Sequence, residues 1–211
     1  MNEDNQEIVY SAPVIEFVAV ANEFCTLLEN APQFSRAGFI EKATKILPLM
    51  YVKFLIIPPI ENIFEEGNER FITEDDWIIL RENLLKKMGP FDAYPEVFDE
   101  RMTEADNFVT SNVSEQLADI YQDIKDFLLL YQMGTNEIMN DAIWECQENF
   151  RQYWGQKLVN VQRALHNVFF SDNDFTETPE EKPRINNIDD VDTSSWLINK
   201  RFEDFKNGED K

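Results

Sequence analysis

Where acids are missing constrains this chain more than where they occur. Asp and Glu make up 41 of its 211 residues, yet 42–60 and 149–171 hold none, where average density would put about four in each. Those windows carry Lys42, Lys45, Lys53, Arg151, Lys157, Arg163 and the only histidine, His166. An unpaired carboxylate is costly to bury, so acid-free windows in a chain of net charge −22 are read as interior. On helical wheels their apolar residues dominate and their bases are dispersed. The windows are therefore assigned to central core helices rather than to a basic ligand groove.

Apolar spacing gives five helical patterns and almost no strand signal. The first runs over about 11–30, with Ser11 at the N-cap and Val14, Phe17, Ala21, Phe24 and Leu28 in its stripe. The second covers about 36–56 and contains Pro48, which predicts a kink or a break. Thr73 with Asp76 three positions on resembles a capping box, and Gly89-Pro90 ends that third helix after Met88. The stretch between Gly89 and Ser114 reads as a loop with short local structure. Ser114 opens the fourth helix and Gly134 closes it. The fifth starts near Thr135 and reaches about Phe170, with Gly155 marking a bend. A tight turn between the last two predicts an antiparallel helical hairpin.

Beyond residue 170 the composition turns polar, with Pro179 and Pro183 among mixed charges. The expected organisation is one helical domain, 1–170, and a flexible acidic tail, 171–211. Within the tail, Trp196, Leu197, Phe202 and Phe205 predict a short amphipathic helix near 195–206, docking on the body or on a partner.

Two cysteines, Cys25 and Cys146, each sit in an apolar helical pattern and read as core thiols in a reducing compartment. Residues 1–7 lack the basic and apolar regions of a secretory leader. The densest apolar run, 46–60, is too short and too interrupted by prolines to span a membrane. The protein is expected to be cytoplasmic. Its charge argues against an anionic membrane surface and against direct nucleic-acid binding.

The strings SEQLADIYQDIKDF (114–127), NDAIWECQENFRQYWGQKLVNVQRALH (140–166) and ILPLMYVKFLIIP (46–58) resemble a family of small all-helical bacterial proteins catalogued as a domain of unknown function. The likeness covers roughly 7–170. It implies a helical fold and a bacterial source, and it transfers no catalytic residues.

Two constellations stand out. Along the fifth helix one outward sector passes from Glu137, Asp141, Glu145 and Glu148 to Gln152, Gln156, Val159, Arg163 and His166. Coverage by another part of the chain or complementation of the helix dipole explains such a change. The functional reading is a partner or anion site built from Gln152, Gln156, Arg163 and His166. The second constellation is Asp123-x-x-Asp126 facing Glu145-x-x-Glu148 across the hairpin, the spacing with which all-helical nucleotide pyrophosphohydrolases hold Mg²⁺. These acids are expected on outward faces, where charge is normally solvated. A single histidine argues against a di-iron site, which wants two Glu-x-x-His pairs, and no nucleophile elbow supports His166 as a triad base.

The fold expected is an all-α bundle of about five helices with a long C-terminal hairpin. The function expected is a non-enzymatic interaction or adaptor module without a cofactor, acting on a protein partner. A Mg²⁺-dependent phosphohydrolase and an acidic nucleic-acid mimic are the alternatives.

Overall fold

The computed structural model describes residues 8–64, 67–96 and 110–177. Among them the chain forms five helical stretches, the last of them divided in three. Helix α1 (Ala12–Glu29) starts with Pro13 in its first turn and Ser11 in extended N-cap geometry, where a proline lacks no hydrogen bond it would have made. Helix α2 (Arg36–Leu55) is capped by the Ser35 hydroxyl, which accepts from Gly38 N at 3.2 Å. Helix α3 (Glu74–Met88) carries the expected capping box. The Thr73 hydroxyl accepts from Asp76 N at 3.3 Å, and Asp76 accepts from Thr73 N at 3.1 Å. Gly89 ends α3 at φ 54°, and a Cβ there would lie 2.6 Å from the Arg36 guanidinium. Glycine is needed on both counts.

Two short strands, β1 (Ala93–Pro95) and β2 (Thr110–Asn112), pair antiparallel with Tyr94 opposite Ser111. Helix α4 (Val113–Met133) follows directly. Its first turn is capped from a distance: Asp92 accepts from Ser114 N at 2.7 Å and from the Ser114 hydroxyl at 3.0 Å. The last helical stretch has three parts, α5 (Asn136–Asn149), a π-helical turn (Phe150–Trp154) and α6 (Gly155–Phe169). Where a bend is expected near Gly155, the helix widens into this π-turn and continues. A Cβ at Gly155 would sit 2.5 Å from the Phe150 carbonyl oxygen, so the wider turn closes only over glycine.

Of the kink or break expected at Pro48, the break does not occur: α2 runs continuously through it. A proline inside a helix leaves the carbonyl four residues back without its donor. Here the Thr44 carbonyl accepts from the Gln162 side chain of α6 at 3.2 Å. A neighbouring helix thus supplies the bond that Pro48 removes.

Packing corrects a second expectation. Helix α4, which bears Asp119, Asp123 and Asp126, is the central element, touching α1, α3, α5 and α6. The two acid-free windows form α2 and the π-turn with α6, and these pack against each other. Their shared core is aromatic: Phe54 meets Phe150 at 4.6 Å and the fully buried Trp154 at 4.9 Å. Both cysteines are buried free thiols, pushed well above their ordinary range by burial. No described helix is long and apolar enough to cross a membrane.

The domain boundary expected at residue 170 falls within a docked segment. Phe175 packs on Phe91 with ring centroids 5.3 Å apart, and Arg36 donates to the Thr176 carbonyl at 3.3 Å. Lys87 pairs with Glu177 at 2.8 Å, their side chains only 3% and 7% exposed. Residues 171–177 thus belong to the body. The expected helix near 195–206 lies outside the described residues.

Candidate functional site

The four acids read as a metal set part company. Asp123, Asp126 and Glu145 converge, but on a guanidinium. Arg70 lies 2.8 Å from Glu145, 3.4 Å from Asp123 and 3.7 Å from Asp126. Glu148 turns away to pair with Arg151 and accept from Gln152 at 3.3 Å. Contrary to the outward placement expected, Asp126 is 3% exposed. Among the described residues no group of three or more His, Cys, Asp and Glu has the arrangement that holds a metal ion.

What brings these acids inward is the described part of the α2–α3 connection, 56–64 and 67–73, which straps across the hairpin. Its amides have no strand or helix to join, so side chains of α4 and α5 receive them. Asp126 accepts from Phe71 N and Ile72 N at 2.9 and 3.0 Å, and Asp141 from Ile63 N and Phe64 N at 2.7 and 2.8 Å. Gln147 accepts from Ile60 N and donates to the Pro58 carbonyl, while Asn140 donates to the Glu61 carbonyl. Asn68 adds a 2.7 Å bond to Glu145.

Burial raises Asp126 to about 6, against the pull of its two amide donors and Arg70. Burial also raises Asp123, partly offset by Arg70. Burial opposes the charge on Arg70, but Glu145, Asp126 and Asp123 outweigh it and raise its pKa. A carboxyl titrating near 6 suits proton transfer, yet the space between these groups is about 10 Å³, no more than a water fills. The cluster fastens the strap. Sequence reasoning missed Arg70, although one signal pointed to it: it is the only base between Lys53 and Arg81.

The amide-and-basic face of α6 is partly covered. Arg163 donates to the Pro95 carbonyl at 2.5 Å, and Asn160 donates to Glu96 at 2.9 Å. Gln156 binds Asn160 on its own helix, and Gln152 binds Glu148. Gln152, Gln156 and His166 stay exposed, the His166 ring lying on the exposed Phe170 at 4.6 Å. The four residues are not gathered into one site. Coverage by the β1 segment explains the missing acid at Arg163 and the neighbouring Asn160, but not at the exposed Gln152, Gln156 and Val159.

The open surface lies elsewhere, on α1 and α2. A cleft of about 310 Å³ runs between them, lined by Leu27, Phe34, Ile46 and Leu49, with Thr26 and Asn30 as polar neighbours. Lys42, Lys45 and Glu23 complete the lining. Lys45 pairs with Glu41 at 2.6 Å, whereas Lys42 lies 5.5 Å from the Phe34 ring and forms no ion pair among the described residues. Beyond the cleft the outer face of α2 is apolar. Val52 and Leu55 are each 56% exposed and Ile56 50%, in line with the exposed Pro48 and Leu49. This row lies within an acid-free window that the sequence assigned mainly to core helices.

The described residues thus form a mostly helical body whose C-terminal hairpin is held by the α2–α3 strap. Residues 8–171 match the model of a family described as a domain of unknown function, DUF5063, and the chain belongs to that family. It is 44% identical to a Bacteroides fragilis protein whose crystal structure was determined by a structural genomics consortium. That similarity covers 79% of this chain and 98% of the other, with a TM-score of 0.70. The resemblance to an all-helical bacterial family therefore holds. A search of curated proteins found no match.

Proposed function

We propose that this protein is a non-catalytic interaction module of the cytoplasm that docks a partner segment in the α1–α2 cleft. The segment it fits presents aliphatic side chains together with carboxylates. The observation that carries this reading is the uncovered apolar row of α2 running into a cleft whose rim bears Lys42. Soluble proteins rarely leave a continuous apolar strip exposed without a use for it. Charge selects the partner: the cleft lining has two lysines to one glutamate, in a chain with 41 acids to 19 bases. An acidic segment is repelled by the remaining surface and finds its counter-charge here.

Selection of displayed twelve-residue peptides on the full chain tests this. Enriched sequences should combine aliphatics three or four apart with Asp or Glu. Their affinity should fall about tenfold on Leu49→Asp and on Lys42→Glu. No enrichment, or peptides indifferent to both substitutions, refutes the reading.

A further inference from the structure

The described chain leaves the body beside this cleft. The Lys87 ammonium holds Glu177 at 2.8 Å and also donates to the Phe34 carbonyl at 2.6 Å, and the Phe34 side chain is a wall of the cleft. Residues 178–211 therefore set out from its rim. Eight residues on, the sequence INNIDDVD (185–192) places Ile185, Ile188 and Val191 three apart, with Asp189, Asp190 and Asp192 between and after them. Eight extended residues reach roughly 25 Å, enough to cross a helix pair.

We infer that residues 185–192 of this chain occupy its own α1–α2 cleft, the aliphatics against Leu27, Ile46 and Leu49 and the aspartates toward Lys42 and Lys45. The inference rests on the docking function proposed above and names the resting occupant of that site. Three features coincide in this segment. It has the apolar spacing that one face of a turn or helix presents, three carboxylates for a rim whose Lys42 has no carboxylate partner among the described residues, and a tether that starts at the cleft wall. Tethering supplies the segment at millimolar effective concentration, so even weak intrinsic affinity fills the site. The family match ends at residue 171, so this occupant belongs to the part of the chain beyond the shared domain. An external partner must compete with it.

Methyl NMR on the full chain tests the inference. A variant with Ile185→Asn, Ile188→Asn and Val191→Asn is compared with the parent, and the Leu27, Ile46 and Leu49 methyls are read. Their signals should shift, while Leu158 and Val161 on the far side of α2 stay in place. A synthetic peptide of residues 183–194 added to the variant should restore them, and Lys42→Glu should weaken that binding about tenfold. Unchanged cleft methyls in the variant overturn the inference. If a display-selected peptide then moves the same methyls, the docking function stands without the intramolecular occupant. If no peptide moves them, the docking function falls as well.

Discussion

The α4–α5 hairpin and the α1–α2 face invert what their sequences suggest. The hairpin is acid-rich, and its Asp126 and Asp141 turn inward to accept the amides of the strap. Helix α2 is acid-free after Glu41, and it turns Leu49, Val52, Leu55 and Ile56 to solvent. Charge is affordable inside where each oxygen has a donor, and apolar surface persists outside where something is to bind it. The hairpin should thus govern stability and the α2 face recognition.

Substitutions separate the two regions. Asp126→Ala strips Phe71 N and Ile72 N of their acceptor, and should cost about 3–4 kcal/mol in denaturant unfolding. The same carboxyl sets a pH dependence. Its folded pKa of about 6 exceeds the ordinary 3.8, so its stabilising contribution is complete below about pH 4 and lost as pH rises through 6. That loss is worth about 3 kcal/mol, and Asp126→Asn should flatten this part of the stability–pH curve. Arg70→Ala should cost about 2 kcal/mol, discounted because the guanidinium is half-exposed, and should raise exchange of the strap amides. Gln162→Ala orphans the Thr44 carbonyl beside Pro48 and should cost about 1 kcal/mol. Leu49→Asp should change stability by less than about 0.5 kcal/mol. An effect of several kcal/mol at Leu49, or none at Asp126, would reverse the comparison.

Much of the fold was legible because its signals are local. The capping box at Thr73 and Asp76, the stop at Gly89 and the helix irregularity near Gly155 each act within one turn of helix. Failures came where a distant residue decided the outcome. Pro48 sits in an unbroken helix because Gln162, far along the chain, replaces the missing donor. Asp123, Asp126 and Glu145 kept the spacing of a cation site, and the cation is Arg70 from a loop no periodicity describes. The acid-free window of α2 was read as core, yet Leu49, Val52 and Leu55 within it face solvent, because no other described element packs over that side.

The central claim is that the α1–α2 face docks partners while the hairpin holds the body together. Mapping methyl shifts of the full chain during titration with a display-selected aliphatic–acidic peptide tests it most directly. Saturable shifts are expected at Leu27, Ile46 and Leu49, with silence at Ile120, Ile124 and Ile143. Shifts centred on the hairpin methyls, with the cleft silent, would contradict it.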